Sequence, residues 1–346
     1  MRVRAPATSA NLGPGFDAFG LALTLHDEIN ARVTNSGLDI QVSGEGAGDV
    51  PQDERHLVVR AMRATFDLLG GQPPGIALQC ANRIPHARGL GSSAAAIVAG
   101  IVTARELAKQ RDKADRGELP DERARQLGDG ERPPDGGERL ADESKRPADG
   151  RARPPDGGER LHGGELLPDE EVLALAAELE GHPDNVAACL YGGFTIAWVD
   201  GGLPRAVRHD VAANIAVRVF VPPNPVSTEY ARTLLPERIR HADAAHAAGR
   251  AALLVTALAG RPDLLLPATV DRLHQHYRAP AMPDSVAFVE RLRAAGIAAV
   301  ISGAGPAVIA FSIGEPDRLG KIVTDSAWQM YEVAVDNAGV SRVRLI

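Results

Sequence analysis

The stretch I-P-H-A-R-G-L-G-S-S-A-A-A, residues 84–96, constrains the fold more than any other. A glycine-bearing loop ends in two serines and runs straight into an alanine-rich segment, which predicts a helix from Ala94 to about Lys109. Gly89 and Gly91 permit backbone conformations that other residues resist and let a ligand come close to the main chain. Ser92 and Ser93 stand where hydroxyls cap free N–H groups. Those N–H groups and the positive end of the helix dipole favour an anion, and a triphosphate is the natural guest. Three readings share these residues. One is a capped helix after a loop, with no ligand. Another is a dinucleotide fingerprint, since Gly89, Gly91 and Ala94 fit G-x-G-x-x-A. That fingerprint needs a strand running into the first glycine and an acidic residue ending a second strand about 20 residues on. The nearest candidate strand, residues 76–80, stops well before Gly89, and the acidic position falls at the end of the helix. The third is a kinase phosphate loop other than Walker A, because no G-K-[ST] follows.

A chain of 346 residues, 44% hydrophobic and 24% charged, is long enough for two domains with sizeable cores. Its net charge of −7 gives no general attraction to nucleic acid or an anionic membrane. Cys80 and Cys189 make neither a disulfide framework nor a metal cluster, and read as buried small apolar residues. The opening M-R-V-R-A-P-A-T-S lacks the apolar run of a signal peptide. No segment reaches the roughly 18 apolar residues of a membrane span. The expectation is a cytoplasmic enzyme.

In chain order, residues 2–5 predict a short strand and residues 6–17, P-A-T-S-A-N-L-G-P-G-F-D, a defined turn. A hairpin loop explains its glycines and Pro14. It does not explain Ser9, Asn11 and Asp17 in one bend, where polar side chains can converge on a small ligand. Residues 18–33, 38–42 and 75–81 predict strands, and residues 56–69 a helix ended by Gly70 and Gly71. Residues 110–165 change character. R-P-P-D-G-G-E-R-L occurs at 132–140 and again at 153–161, and Pro, Gly and charge dominate. Such a segment buries too little to offset its ordering entropy, and predicts a disordered insertion. Residues 169–181 predict a helix, followed by H-P-D-N-V from His182. Strands follow at 194–199 and 215–221, with a domain boundary between residues 205 and 206. Ser227 or Thr228 caps a short helix, with Arg232 one turn after Thr228 on the same face. Helices are expected at 243–259, 285–295 and 319–331, strand–glycine loop–strand at 298–311, and a last strand at 340–345.

P-x-x-x-G-L-G-S-S-A-A resembles the phosphate-binding motif of the GHMP kinases, and the stretches 6–17 and 298–311 resemble that superfamily's other two motifs. A-N-L-G-P-G-F-D, H-x-D-N-V and T-x-x-x-R make the resemblance specific to homoserine kinases. It implies an α+β fold: a two-domain GHMP kinase fold with an N-terminal mixed sheet and helices, a C-terminal ferredoxin-like α/β sandwich, and a nucleotide cleft between them. Residues 1–205 would form the first domain and 206–346 the second. The implied reaction is ATP-dependent phosphorylation of the L-homoserine hydroxyl, a step towards threonine. Another GHMP small-molecule kinase, or a non-catalytic ligand-binding relative, is the alternative.

The resemblance also implies roles. Pro85, His86, Ala87, Arg88, Gly89, Leu90, Gly91, Ser92, Ser93, Ala94 and Ala95 would bind ATP. His86 and Arg88 read equally well as a solvated pair. Ser93 and a helix glutamate, Glu178 in preference to Glu180, would hold Mg2+. Asn11, Asp17, His182, Thr228, Arg232 and Arg278 would contact L-homoserine, Asp17 its ammonium and the two arginines its carboxylate. Asp184, Asn185 and Ser93 would be catalytic, with Asp184 either a general base or a structural group. A homodimer, with no nucleic acid or membrane partner, is expected.

Overall fold

The computed structural model describes residues 1–117, 166–313 and 327–343. Two sheets organise it. The first has seven strands: β1 (Arg2–Ala10), β2 (Phe19–Thr34), β3 (Gly37–Gly44), β4 (Gly75–Asn82), β5 (Phe194–Asp200), β6 (Leu203–His209) and β11 (Ser341–Arg342). The order is β11-β1-β2-β4-β3, with β5 also pairing β2 and β6 pairing β5. Among the described residues only β3 and β4 pair in parallel in this sheet, so it is mixed. The second sheet is antiparallel, with β7 (Ile215–Val221), β8 (Ala298–Ile301), β9 (Val308–Ile313) and β10 (Gln329–Val333) in the order β10-β7-β9-β8. That is the strand order of a ferredoxin-like sandwich. The α+β expectation holds.

Helices cover the first sheet. α1 (Leu57–Leu68) buries Val58, Val59, Met62 and Phe66, an amphipathic stripe. α2 (Ser92–Asp115) is buried on most sides by Ile97, Val98, Ile101 and Val102. It meets α1 at Gly100, where a Cβ would stand 2.7 Å from the Val58 carbonyl oxygen. α3 (Asp169–Glu180) ends at Gly181, and α4 (Pro183–Tyr191) starts immediately after. In the second half, α5 (Thr228–Thr233) and α6 (His241–Gly260) follow β7, and α7 (Pro283–Ala294) precedes β8. Val217, Val219, Ile309 and Phe311 join Leu254 and Leu258 in the large core shared with the first sheet. Phe220, Ala299, Ile301 and Val308 share a smaller core with Phe288 and Leu292 of α7.

Five expectations shift. Strand β1 runs to Ala10 rather than stopping at residue 5. Pro6 fits because the register with β2 breaks between Pro6 and Ala7, which absorbs a residue without a donor. Helix α2 continues to Asp115, six residues past the expected end. Its last turns are charged helix formers, and Lys113 suits the negative end of the dipole. The rest of the expected insertion, repeats included, lies outside the described residues. The expected domain boundary falls inside β6, which stays paired with β5 through His209, so the second sheet begins only at β7. The expected helix over 319–331 ends instead as β10, paired antiparallel with β7, while residues 319–326 lie outside the described residues. Pairing with an existing edge outweighs the local helical pattern there. The last strand is confined to β11, with residues 344–346 outside the description.

Candidate active site

A cleft of about 450 Å3 opens between the two halves. The loop 87–91 and the first turn of α2 form its floor, α3 and α4 one wall, and the loop after β1, α5, Arg278 and Gly303 the other. The floor is held by backbone contacts from every side. Thr8 N–H donates to Leu90 O (3.0 Å), Val226 N–H to Ala87 O (3.2 Å) and Ala307 N–H to Arg88 O (3.1 Å). Ser302 Oγ lies 2.6 Å from Gly89 O and 2.8 Å from Ser9 Oγ. With one proton it donates to the carbonyl and accepts from Ser9.

Gly91 has φ +66°, and a Cβ there would lie 1.9 Å from Thr8 Oγ1. That hydroxyl donates to Asn185 Oδ1 at 2.8 Å. Gly91 is the residue before the helix, and no side chain caps this end. The expectation that Ser92 and Ser93 cap the helix therefore gives way. They are its first two residues, and the first-turn N–H groups are left to an anion in the cleft.

The expected phosphate residues separate into two groups. Ala87, Gly89, Leu90, Gly91, Ser92 and Ser93 line the cleft. Pro85, Ala94 and Ala95 are buried away from it. His86 packs on Gly46, and Arg88 donates to Pro222 O (3.1 Å) and Pro223 O (2.5 Å), so neither side chain faces the cleft.

Ser93 Oγ donates to Glu180 Oε1 at 2.6 Å. Burial raises the Glu180 carboxyl above its ordinary pKa, against the lowering effect of Ser93. Glu178 is exposed and lies in a separate groove beside Leu203 and Pro204. Of the two glutamates left open as metal-holding candidates, the turn of α3 carries only Glu180 into the cleft, and the preference for Glu178 does not fit its position. Among the described residues no cluster of three or more His, Cys, Asp or Glu could hold a metal alone. A hydroxyl, one carboxylate, phosphates and water suffice for Mg2+. Hard oxygen donors and a half-buried carboxylate at a phosphate loop fit that ion.

At the opposite end, Arg232 grips Asp17 with two bonds, Nη1 to Oδ2 at 3.1 Å and Nη2 to Oδ1 at 2.9 Å. Ser227 caps α5 through Tyr230 N–H (3.3 Å). Thr228 and Arg232 both face the cleft. Asn11 also lines it, but its amide is engaged: Nδ2 donates to Gly303 O (2.9 Å) and Oδ1 accepts from Asp17 N–H (2.9 Å). Asn11 therefore ties the β1 loop to the 302–306 loop. Arg278 forms part of the wall although only 2% exposed. Burial, and then the neighbouring Arg232 charge, lower its pKa.

His182, Asp184 and Asn185 line the cleft between the two ends. Asp184 Oδ1 takes both His182 Nδ1 (2.6 Å) and Asn185 N–H (2.7 Å). All the expected substrate and metal residues except Glu178 thus share one cavity.

Residues 56–129 match the family model for the GHMP kinases N terminal domain, and residues 253–333 that for the GHMP kinases C terminal. A homoserine kinase of Streptomyces avermitilis is 50% identical over 342 residues, 99% of this chain and 95% of its own length. This chain belongs to the homoserine kinase family. The homoserine kinase of Clavibacter michiganensis is 41% identical over 98% of this chain and 92% of its own. The crystal structure of homoserine kinase from Cytophaga hutchinsonii superposes with a TM-score of 0.74 over 99% of this chain and 96% of that one, at 24% identity, and supports the fold alone.

In this homoserine kinase family member, sequence reasoning missed Thr8, which fixes Asn185, and His274, which contacts Arg278. No local signal marks either, because each partner is far away along the chain. It also missed Leu57, Ile97 and Leu179, the apolar part of the cleft. A signal existed for Leu57 and Ile97, each opening the apolar run of a helix beside the phosphate loop.

Asp184 raises the His182 pKa above its ordinary value. A histidine whose folded pKa is raised adds stability that is fully present below the unfolded value, about 6.5, and fades as pH rises through the folded value. Thermal melts from about pH 6 to about pH 9 should show the parent chain losing more stability than His182→Gln. Parallel curves would contradict the pairing.

Proposed function

We propose that this chain transfers the γ-phosphoryl group of ATP to the side-chain hydroxyl of L-homoserine, giving ADP and O-phospho-L-homoserine. One observation carries this: Asp17, Arg232 and Arg278 share a single cavity with the glycine loop and the open start of α2. Phosphoryl transfer asks mainly for alignment and neutralisation of charge. The N–H groups at the start of α2 would hold the ATP phosphates, with the helix dipole behind them. Ser93 and Glu180 would hold Mg2+. When bound, that ion neutralises charge on the phosphates.

L-homoserine would enter as a zwitterion. Its ammonium would take Asp17 and its carboxylate Arg232 and Arg278. Asp17 and Arg232 hold each other in the absence of substrate, and a zwitterion replaces each partner with a group of the same sign. Neither charge is then left uncompensated, which would be costly in a partly closed site. Thr228 would bound the substrate on the α5 side. Asn185, fixed by Thr8, would align the reacting groups. Asp184 orients His182 and Asn185, and this supports a positioning role for it over proton abstraction. The same reading takes the chain to be a cytoplasmic homodimer. Among the described residues no helix is long and apolar enough to cross a membrane.

ADP release is expected with L-homoserine and not with mevalonate or galactose. Turnover of either alternative at the homoserine rate would reassign the substrate within the superfamily. No turnover of any of them would favour a ligand-binding relative.

A further inference from the structure

Arg278 is enclosed by three protein contacts. Nε donates to Ala231 O, and Nη1 faces both Gly303 O and His274 Nδ1, each at 3.3 Å. No bond to Nη2 is found among the described residues, which leaves that end of the guanidinium for the cleft whose wall Arg278 forms. His274 has no solvent exposure. Its Nε2 lies 2.9 Å from Gly13 O. A carbonyl can only accept, so Nε2 carries the proton, and in a neutral ring Nδ1 then presents a lone pair. That lone pair meets an Arg278 N–H.

The surroundings keep the ring neutral. Burial and the Arg278 charge lower its pKa, against the Asp271 carboxylate. Asp271 lies 3.8 Å from Nε2, and is occupied by the N–H groups of Leu273, His274 and Gln275 at 2.8, 3.1 and 2.7 Å. Phe16 stacks on the ring at 5.2 Å and also meets the guanidinium carbons of Arg278 and Arg232 at 5.4 and 5.9 Å. One imidazole thus joins Arg278 to the 11–17 loop that carries Asp17.

We propose that His274 is a positioning residue for the carboxylate end of the substrate. Through Nδ1 it fixes the Arg278 guanidinium, while the Nε2–H bond to Gly13 O sets the tautomer that leaves the Nδ1 lone pair free for it. This rests on the reading of Arg278 as a carboxylate ligand given above.

Three variants separate the two bonds. Asparagine can place its amide oxygen near the Nδ1 position, glutamine can place its amide nitrogen near the Nε2 position, and leucine supplies neither. His274→Leu and His274→Gln should raise KM for L-homoserine about tenfold, with kcat and KM for ATP almost unchanged. His274→Asn should bring KM back to within about threefold of the parent. Equal KM values for the asparagine and glutamine variants would overturn the proposal, as would an effect that falls on ATP. If the leucine variant does not fold, the asparagine–glutamine comparison still decides. Arg278→Ala distinguishes the two levels of the argument. It should raise KM for L-homoserine, and His274→Leu should add nothing in that background. An unchanged KM in Arg278→Ala would sink the carboxylate reading itself. A raised KM to which His274→Leu adds fully would sink only the role of His274.

Discussion

Glu180→Gln will lower kcat by about 100-fold or more, while Glu178→Gln will leave it within about twofold of the parent. The glutamine keeps an oxygen for the Ser93 hydroxyl, now 2.6 Å from the carboxylate, and removes only the charge. That charge is the one carboxylate on α3 that the cleft contains. Burial already disfavours it without a cation, so a divalent ion beside it gains a partner whose desolvation cost is already met by folding. Rates of ADP release across a Mg2+ titration, at saturating L-homoserine, would measure the effect. Equal losses at both positions, or a larger loss at Glu178, would reject Glu180 as the metal-holding residue.

Gly91→Ala should lower kcat/KM for ATP by about 100-fold, the size of effect expected when a reacting group moves by about 1 Å. Two causes act together. The backbone at φ +66° costs a residue with a Cβ about 1–2 kcal/mol. The new methyl would also stand 1.9 Å from Thr8 Oγ1, so the loop or strand β1 must move. Displacing Thr8 releases Asn185, its partner at 2.8 Å, and the damage reaches both sides of the transferring group. Thr8→Ala in the same chain removes the obstructing oxygen but not the backbone strain, and should recover part of the rate relative to Gly91→Ala alone. If it recovers none, crowding against Thr8 is not the cause.

The sequence made the glycine loop, the substrate-side arginines and most strands legible, because each rests on local spacing. Asp17 and Arg232 lie 215 residues apart, yet each sits in a motif short enough to read on its own. The choice between Glu178 and Glu180 was also within reach. Glu180 follows buried Leu173 by seven residues and buried Ala176 by four, whereas Glu178 follows exposed Glu171 by seven. Helical phase alone places them on different faces. His274 was not legible, because its meaning depends on the Gly13 carbonyl and on a neighbour that only folding supplies. The capping assignment failed for a related reason. Serines at a helix start look like caps, but whether they precede or open the helix depends on which residue adopts the left-handed turn, and that is Gly91.

The chain ends by returning to where it began. Strand β11 pairs with β1, Asp336 reaches His26 at 2.5 Å, Gly193 N–H donates to Asp336 O, and Val340 N–H donates to Cys189 O. Severing the polypeptide after His209 would therefore not release two autonomous modules. The leading fragment would lack the strap that closes its outer edge, and the trailing fragment would carry that strap with nothing to fasten it to. Any engineering that treats this protein as a pair of exchangeable cassettes would have to transplant the last strand together with the first.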